Sequence, residues 1–457
     1  MMIVNLLTSG RRQLHTIISR ETIKPSSPTP SHLHTYNLSE LDLLNPKAYI
    51  PLLLFYPNNP SCTLTTHQKS TLLKTSLSQS LTQHHPFAGR LFTPTTPSYI
   101  DCNDEGVVFV EARNDSQLDT FQHMTGQDET LGQLFADGVV HHMPPSITNV
   151  VRVQVNHFSC GGLGVALSMS HLVGDACSLG SFLSHWASVA RYGSSDHHQV
   201  LPMNPHFIHY PPSESSQPEP RATVPAPNVD RDINQIRIFG VRRFVFRNSK
   251  LSELKNKVVF EAGGSINNPT RVEVLTSMLY TTAVKAAATK SGTFKPSYLF
   301  FMVNMRDKLV EKLLRTTIGN FVSLMMVPTR HTSDTSISSV VVEIKKHKLE
   351  FEGIQSVQQL AENTKSSKVR NQDLENISEG SYYCSSLCGF PYSKLDFGWG
   401  KPMGTTLATK STGKNGFVLM DKADGDGIEA LVMLEEEHMK IFENDKEMLS
   451  YCQSDSI

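Results

Sequence analysis

The sequence predicts an α/β protein built from two domains. Apolar residues at helical spacing and apolar residues that alternate with polar ones follow each other in both halves, which indicates interspersed helices and strands. The chain has 457 residues, of which 39% are hydrophobic and 19% charged, so it can form more than one large core. Eight prolines lie among polar residues between Leu201 and Val229. This composition predicts a linker at residues 201–230, between domains at residues 23–200 and 231–457.

The elements of the first domain follow from hydrophobic spacing. Helices are predicted at Lys69–Leu81 and Ala176–Arg191, and a strand pattern covers Val150–Ser170. Two further strands are predicted at Ser98–Cys102 and Val107–Glu111. The turn between them contains Asn, Asp and Gly, which tolerate left-handed backbone, so we expect these two strands to form a hairpin.

The second domain shows the same alternation. Thr270-Arg271-Val272-Glu273 has the Ser/Thr-x-x-Glu pattern of a capping box in front of an apolar helical run, so a helix is predicted to begin there. Further helices are predicted at Ser249–Lys257, Ser338–Leu349 and Glu435–Glu443, and strands at Val241–Phe246, Tyr298–Asn304, Phe321–Val327, Gly416–Met420 and Ile428–Leu434.

The charge balance and the cysteines exclude several classes of protein. Lys and Arg total 42 and Asp and Glu total 43, a formal net charge of −1, which argues against a nucleic-acid partner or a polybasic membrane protein. No apolar run approaches the ~20 residues of a membrane-spanning helix. Seven dispersed cysteines, an odd number, predict a reducing compartment, which we take to be the cytoplasm, and no disulfide scaffold.

Residues 1–22 are predicted to be an N-terminal extension. The first part of this segment carries Arg11, Arg12 and Arg20, several Ser and Thr, and no acid before Glu21. That composition is typical of a transit peptide, and a frayed extension without a targeting role is the alternative. Organelle targeting therefore stays open.

His171 and Asp175 are the first candidate site residues. His171 stands where a buried strand ends and a helix is about to begin, so its ring can project into a cleft. Because histidine has an ordinary pKa of about 6.5, a neutral imidazole can serve as a general base near pH 7. Asp175 can accept a hydrogen bond from the ring or turn away to pair with an arginine. His-x-x-x-Asp occurs by chance about once in such a chain, so a buried structural histidine is the alternative.

The second candidate is the stretch Asp396-Phe397-Gly398-Trp399-Gly400. Five specified residues arise by chance in a chain of this length roughly once in ten thousand cases. Gly398 and Gly400 on either side of Trp399 predict a tight loop around a large flat side chain, and a structural turn whose tryptophan fills the core is the alternative. Asp-Phe-Gly also occurs in protein kinases, but the sequence has no Gly-rich phosphate loop, strand lysine or His-Arg-Asp loop, so a kinase is excluded.

Taken in this order, the two motifs resemble those of the BAHD acyltransferases of plant specialised metabolism, and the resemblance covers the chain from Ile23 to its end. The opening segment, Ile23–Pro30 together with Leu38–Asp42, looks like the vinorine synthase-like branch, which includes acetyltransferases acting on alkaloid and terpenoid alcohols. One departure is Ala176, where many members have Gly. Other pieces of the sequence agree with the family, namely Pro86–Arg90, Ile100–Asn103, Asn304–Arg306 and Gly319–Asn320.

The resemblance implies the fold and part of the site. The fold would be like that of chloramphenicol acetyltransferase, a monomer of two domains joined by a crossover linker, with a solvent channel between them. His171 would lie in this channel, reached by acyl-CoA from one face and by the acceptor from the other. Asp175 would support the histidine loop. Asp396 would lie far from the chemistry, paired with Arg306 and ordering an interdomain loop.

We therefore expect an acyl-CoA-dependent O-acyltransferase, with acetyl-CoA as co-substrate and an alkaloid or terpenoid alcohol as acceptor. His171 would remove the hydroxyl proton while the oxygen attacks the thioester, without a covalent enzyme intermediate. The helix start at Thr270 and Arg271 is a candidate site for the CoA phosphates, with an ordinary helix cap as the alternative. The candidate oxyanion donors are Trp399, Ser385 and Ser386.

Other functions stay open on the sequence. One is a non-catalytic binding or regulatory member of the same fold, and another is an acyltransferase that uses a longer or aromatic acyl-CoA. A hydrolase is disfavoured because no Gly-x-Ser-x-Gly elbow is present. Cys384 and Cys388 are not spaced like a zinc site, so we expect no metal and no permanently bound cofactor.

Overall fold

Helices and strands are interspersed through both halves of the computed structural model, which describes residues 15–93, 98–122, 129–139, 146–193, 204–209, 239–375, 380–408 and 415–453. The strands are β1 (His15–Ile23), β2 (Thr35–Asn37), β3 (Tyr49–Tyr56), β4 (Arg90–Phe92), β5 (Tyr99–Asp101), β6 (Val107–Asn114), β7 (Ile147–Asn149), β8 (Val151–Phe158), β9 (Leu163–Ser170), β10 (His206–Phe207), β11 (Phe239–Phe246), β12 (Ser297–Asn304), β13 (Thr317–Ile318), β14 (Val322–Thr329), β15 (Ser381–Ser386), β16 (Gly404–Leu407), β17 (Asn415–Asp421) and β18 (Ile428–Glu435). The helices are α1 (Glu40–Leu43), α2 (Thr66–Gln83), α3 (Asp119–Gln122), α4 (Glu129–Gly132), α5 (Ala176–Tyr192), α6 (Asn248–Glu261), α7 (Arg271–Ser291), α8 (Ile337–Lys348), α9 (Val357–Glu375), α10 (Glu436–Phe442) and α11 (Lys446–Tyr451).

The first sheet has six strands in the order β1-β6-β8-β9-β3-β16. Helices α2 and α5 pack together against this sheet, and the indole nitrogen of Trp186 on α5 donates to the carbonyl of Leu73 on α2 at 3.2 Å. Strand β9 is buried along its whole length, as its continuous apolar run predicts. The antiparallel pair of β3 and β9 leads the chain directly to His171.

The prediction that residues 1–22 form an extension outside the first domain is wrong for His15–Thr22, because these residues belong to β1. This strand pairs antiparallel with β6 over its length, and the guanidinium of Arg20 binds the carboxylate of Asp137 at 2.9 Å. Glu21 accepts from Lys74 on α2 at 2.6 Å. The first domain therefore includes His15–Ile23, and only residues 1–14 lie outside the described part of this segment.

The hairpin predicted between Ser98–Cys102 and Val107–Glu111 is wrong. Strand β5 belongs to a four-stranded sheet in the order β2-β5-β4-β7, whereas β6 belongs to the first sheet. Asp104 and Gly106 do take the left-handed backbone that the turn residues predict, with φ of +54° and +91°. Left-handed residues let the chain turn without fixing which strand it pairs with, and here the turn carries the chain from one sheet to another.

The second sheet has the order β11-β18-β17-β15-β12-β14, with β12, β15 and β17 parallel. Helix α7 begins after Thr270 with the predicted capping box, since Thr270 Oγ1 accepts from the Glu273 amide at 3.1 Å and the Glu273 carboxylate accepts from the Thr270 amide at 2.7 Å. The helix packs with α6 and α8 over a second apolar core.

The division of the chain at residues 201–230 does not separate the two sheets completely. Strand β16, from the C-terminal half, pairs antiparallel with β3 and completes the first sheet. The core of the first sheet also takes in side chains of the second sheet, among them Val241, Val418 and Leu431. The two halves therefore share one apolar interface, and the second half contributes one strand to the first sheet.

Of the predicted linker, the structure describes residues 204–209, and the other residues of 201–230 lie outside its description. Strand β10 within it runs parallel to β13. In the part of the chain that the structure describes, no helix has the length and hydropathy needed to cross a bilayer.

Candidate active site

His171 lies immediately after β9, at the start of a turn that leads into α5. Its amide donates to the carbonyl of Ala48, the residue before β3, at 2.8 Å, so the backbone of the turn is fixed to the neighbouring strand. The side chain is partly exposed, unlike the wholly buried strand before it. A rigid backbone thus presents an imidazole that remains accessible.

Asn320 determines which nitrogen of the His171 ring carries the proton. Its Nδ2 donates to the carbonyl of His171 at 2.8 Å and to Oδ1 of Asp42 at 2.9 Å. The amide cannot be reversed, because Oδ1 would then face these two acceptors. Asn320 Oδ1 lies 3.2 Å from His171 Nδ1 and can only accept, so Nδ1 is the protonated nitrogen and Nε2 carries the lone pair. Nε2 has no hydrogen-bond partner among the described residues.

Asp42 holds Asn320 in this orientation. Its side chain is 1% exposed, and Oδ1 accepts from both the backbone amide and Nδ2 of Asn320. The other carboxylate oxygen accepts from the amide and hydroxyl of Ser39 in the capping box of α1. Burial raises the pKa of Asp42 above its ordinary value, while the hydrogen bonds from Ser39 and Asn320 oppose the shift.

Asp175 turns away from His171 and binds Arg306. Arg306 Nη1 and Nη2 donate to the two carboxylate oxygens at 2.7 and 3.1 Å, so the pair is bidentate. Asp175 also caps α5 by accepting from the Ser178 amide, and it accepts from the amide of Phe321 at 3.1 Å. Burial opposes the ionisation of Asp175, but the charge and hydrogen bonds of Arg306 outweigh it and hold the pKa below its ordinary value.

These contacts hold the backbone on both sides of Asn320. Arg306 Nη2 donates to the carbonyl of Gly319 at 3.0 Å, and the hydroxyl of Ser178 donates to the same oxygen at 2.8 Å. The amide of Phe321 is held by Asp175, as described above. Asp175 and Arg306 therefore act on His171 through the position of Asn320 and make no contact with its ring.

The expected ion pair between Asp396 and Arg306 is wrong. Asp396 forms an ion pair with Arg191, in the last turn of α5, whereas Arg306 forms an ion pair with Asp175. The other carboxylate oxygen of Asp396 accepts from the amides of Gly398 and Gly400, each at 2.9 Å. Arg306 is 0% exposed beside Asp175, and this enclosed position leaves it no access to the distant Asp396 loop.

The Asp396–Gly400 loop is tight because of its two glycines. Gly398 and Gly400 both have φ of +112°, a region that L side chains rarely adopt. The loop also joins the two halves of the chain, since Asn59 donates to the carbonyl of Trp399 at 3.0 Å.

Trp399 is not placed to contact a substrate, contrary to the expectation that it could donate to the oxyanion. Its side chain is 3% exposed, and its ring packs against Tyr56 and Phe397 with centroid distances of 6.1 and 5.8 Å. Tyr56 ends β3, whereas His171 lies beside the first residue of that strand. Seven residues of extended strand separate the two ends by roughly 23 Å, so the loop is remote from the histidine.

Arg271 lies at the start of α7, where the helix meets the start of α6. Its guanidinium donates to the side chain of Asn248 at 2.6 Å and to Asp421 at 3.3 Å, and its side chain is 42% exposed. Thr270 is engaged in the capping box, so Glu273 already supplies a negative charge at this helix end. An incoming phosphate would therefore reach Arg271 by competing with Asp421.

Ser385 and Ser386 end β15, and both are partly exposed. The hydroxyl of Ser386 accepts from the amide of Cys388 at 3.3 Å. The loop that follows crosses to the first half, where the hydroxyl of Tyr392 donates to the carbonyl of Ala176 at the start of α5. The two serines thus lie at the carboxyl end of β15, an interior strand of the second sheet, where the chain leaves the sheet towards the start of α5.

Sequence reasoning did not assign a role to Asp42 or Asn320. Both lie in pieces that resemble the family, Gly319–Asn320 and the segment that precedes β3, but they are 129 and 149 residues from His171. No spacing rule joins residues so far apart. The only local signal is the Ser-x-x-Asp capping pattern of Ser39 and Asp42, which predicts a helix start and not a contact with the site.

Comparison with known proteins identifies the class. A family model described as Transferase family matches residues 15–449. The 17,18-epoxy-17-hydroxycur-19-ene N-malonyltransferase of Strychnos nux-vomica is 34% identical, over 99% of this chain and 93% of that protein. Stemmadenine O-acetyltransferase of Catharanthus roseus is 31% identical, over 94% of this chain and 96% of its own length. The crystal structure of vinorine synthase matches with a TM-score of 0.77 at 27% identity, over 96% of this chain and 99% of that chain.

The fold and these matches define an acyltransferase with the two-domain BAHD architecture. The chain belongs to the transferase family of BAHD acyltransferases, whose co-substrate is an acyl-CoA. The match to the vinorine synthase structure also confirms the resemblance to the vinorine synthase-like branch.

Proposed function

We propose that this chain transfers an acetyl group from acetyl-CoA to a hydroxyl of an alkaloid or terpenoid, with His171 as the general base. The observation that carries the proposal is the hydrogen bond between His171 Nδ1 and Asn320 Oδ1 at 3.2 Å. Because Asn320 can only accept there, the free lone pair of the ring is on Nε2, the nitrogen available to a substrate.

The chemistry follows from this tautomer. Nε2 takes the proton of the acceptor hydroxyl as the alcohol oxygen bonds to the thioester carbonyl carbon. The tetrahedral intermediate collapses, the carbon–sulfur bond breaks, and the CoA thiolate takes the proton back from the imidazolium. Asn320 Oδ1 accepts from the Nδ1–H throughout, and this hydrogen bond strengthens when the ring is positively charged.

Transfer is proposed to be direct, within a complex of both substrates. Cys177 is the cysteine nearest in sequence to His171, and it is 7% exposed with its thiol directed to the carbonyl of Arg315 at 3.6 Å. Burial raises the pKa of the Cys177 thiol, which disfavours the nucleophilic thiolate. These facts favour a single transfer over an acyl-cysteine intermediate.

For the donor we propose a channel between the two halves, with the CoA phosphates near Thr270 and Arg271. The partly exposed guanidinium of Arg271 supplies positive charge there, and a phosphate that binds it displaces Asp421. Ser385 and Ser386 are the proposed donors to the oxyanion, because they lie at the carboxyl end of β15 and are not fully buried.

Acetyl is proposed as the acyl group on the strength of the family branch, which includes an O-acetyltransferase of 31% identity. The N-malonyltransferase at 34% identity makes malonyl-CoA the first alternative to test, ahead of longer and aromatic acyl-CoAs. We also propose a cytoplasmic monomer, with organelle targeting through residues 1–14 left as the alternative.

Acyl transfer is tested by incubating the purified chain with acetyl-CoA, malonyl-CoA or benzoyl-CoA and a panel of alkaloid and terpenoid alcohols. We expect CoA release that depends on the acceptor and a product heavier by one acetyl group. Preference for another donor would overturn the acetyl assignment. Binding of acyl-CoA without turnover across the panel would favour a non-catalytic member of the fold, and CoA release without any acceptor would indicate a thioesterase.

A further inference from the structure

A short strand of the crossover between the halves lies beside the segment that carries Asn320. Strand β10 runs parallel to β13, with Phe207 opposite Ile318. The amide of His206 donates to the carbonyl of Thr316 at 3.1 Å, which extends this pairing by one residue. Because Ile318 is only two residues before Asn320, β10 supports the strand that delivers the amide to His171.

The side chain of Phe207 also packs against the other support of Asn320. Its ring centroid lies 5.6 Å from that of Tyr36, in a T-shaped arrangement, and 5.3 Å from that of His85. Tyr36 is 1% exposed and lies in β2, which leads through the cap of α1 to Asp42. Phe207 therefore touches both segments that fix Asn320, the one before it in β13 and the one that supplies Asp42.

The next residue ties β10 to the other half of the molecule. Phe207 packs against the core of the first sheet, while Ile208 packs against the core of the second sheet. Successive side chains of an extended segment point to opposite sides, so β10 and the residue that follows it are together anchored in two cores. The position of β10 is thereby set by both halves of the chain.

The segment that β10 supports has little rigidity of its own. Strand β13 is two residues long, and Gly319 follows it with φ of +138°. A glycine restricts the backbone less than any other residue, so contacts from outside the segment must hold it in place. Arg306 and Asp175 hold the backbone of Gly319 and Phe321, and β10 holds the residues before them.

We propose that Phe207 is a positioning residue for acyl transfer: it fixes Asn320 and thereby keeps the His171 proton on Nδ1 and the lone pair on Nε2. The proposal rests on the proposed function, since this tautomer matters for rate only when Nε2 is the base. Without the ring, β13 loses side-chain packing and the segment that carries Asp42 loses its contact with β10. A small shift of either segment lengthens the hydrogen bond from His171 Nδ1 to Asn320 Oδ1, so the imidazole can populate the other tautomer. A purely structural role for Phe207 would lower stability and leave the ring of His171 unchanged.

The test compares Phe207→Ala with Phe207→Leu and with Phe92→Ala. Phe92 is a matched control, because its partly buried ring stacks on Tyr99 at 5.0 Å and its strand, β4, pairs with β5 and β7 and not with β10 or β13. We expect Phe207→Ala to lower kcat about tenfold, while the KM for acyl-CoA changes less than about twofold. Phe207→Leu should have a kcat close to that of the parent, and Phe92→Ala should leave kcat unchanged. In an Asn320→Ala background, Phe207→Ala should add less than about twofold, because both changes act on the same hydrogen bond.

Nitrogen NMR of the full-length chain labelled at histidine gives a readout that does not depend on activity, with the His171 signals assigned from a His171→Ala spectrum. We expect the Nδ1–H tautomer in the parent and in Phe207→Leu, and a mixture of tautomers in Phe207→Ala. An unchanged tautomer, or equal kcat values in Phe207→Ala and Phe92→Ala, would overturn the positioning role. If His171→Ala were to retain turnover, the proposed function would fail, while the tautomer measurement would still decide the role of Phe207.

Discussion

The guanidinium of Arg306 and the carboxylate of Asp175 form a bidentate pair in which the side chains are 0% and 4% exposed. Asp175 caps the first turn of α5, and Arg306 follows β12, so the pair joins the two halves of the chain behind the histidine turn. Its hydrogen bonds reach the residues on both sides of Asn320, the side chain that sets the His171 tautomer. The pair is therefore at once an interdomain contact and a support of the site.

Removing one member of this pair should destabilise the protein strongly. Asp175→Asn leaves Arg306 charged in a buried site, and we expect a loss of about 3–5 kcal/mol in the free energy of unfolding. The single variant Arg306→Lys should also be destabilised, although it keeps the positive charge, because an ammonium cannot replace the bidentate contact of the guanidinium. The exposed pair of Arg315 and Asp307 is the control, and Arg315→Ala should cost less than about 1 kcal/mol in urea unfolding. A loss at Asp175 as small as the control would contradict this view of the pair.

Asn320→Ala should slow the chemical step without preventing folding or acyl-CoA binding. The substitution removes the acceptor for His171 Nδ1 and frees the ring to take either tautomer. We expect kcat to fall about tenfold to a hundredfold, with the dissociation constant of CoA changed less than about twofold. Stopped-flow rates and calorimetric titration with CoA measure the two quantities. A kcat equal to that of the parent would mean that Asn320 does not set the tautomer.

Asp396→Ala should damage stability and spare chemistry. The carboxylate accepts from the amides of Gly398 and Gly400, both of which lose their partner in the variant. We expect a loss of about 2–3 kcal/mol in the free energy of unfolding, and an unchanged kcat per folded molecule, because the loop is remote from His171. Arg191→Ala removes only a half-exposed partner of the same carboxylate and should cost less. Normal melting together with a lost chemical step would contradict the structural assignment.

Three of the buried histidines, His84, His85 and His185, should make the protein sensitive to acid. Burial lowers the pKa of His85 and of His185 to about 4, and that of His84 well below its ordinary value. In the unfolded chain these rings titrate near their ordinary pKa of about 6.5, so between pH 6.5 and 4 the unfolded state binds more protons and stability falls as the pH falls. His185 alone should account for about 3 kcal/mol of this loss.

The His185 contribution is measured by urea unfolding at a series of pH values. His185→Leu should flatten the curve between pH 6.5 and 4, because one depressed histidine is gone. His67→Leu is the matched control, since His67 is exposed on α2 and its replacement should leave the slope unchanged. Parallel pH profiles for the parent and His185→Leu would contradict this prediction. They would show that the pKa of His185 is the same in the folded and unfolded protein.

The sequence predicts those helices, strands and caps that depend on residues close together in the chain. The start of α7 is confirmed at Thr270, because a capping box is complete within four residues. Strand β9 follows likewise from the apolar run of its own residues, and α5 from their helical spacing. The pairing of Asp396 with Arg191 could not be predicted in this way, because the two residues are far apart in the sequence and only the packed chain brings Arg191 to this loop.

Long-range contacts account for the remainder of the site. His171, Asn320 and Asp42 come from three distant segments, and their contact depends on how β2, β9 and β13 meet. The Asn103–Gly106 turn shows the same limit, because its residues predict left-handed backbone but not the sheet to which the next strand belongs. The wrong hairpin and the unassigned Asn320 have this common cause.

The rate of acyl transfer by His171→Ala, with the affinity for CoA measured on the same preparation, tests most directly whether this imidazole is the base. With the lone pair of Nε2 removed, we expect kcat to fall by about a thousandfold, within the range that general-base groups contribute, while CoA affinity and the melting temperature stay close to those of the parent. Turnover by His171→Ala within about tenfold of the parent would contradict the account.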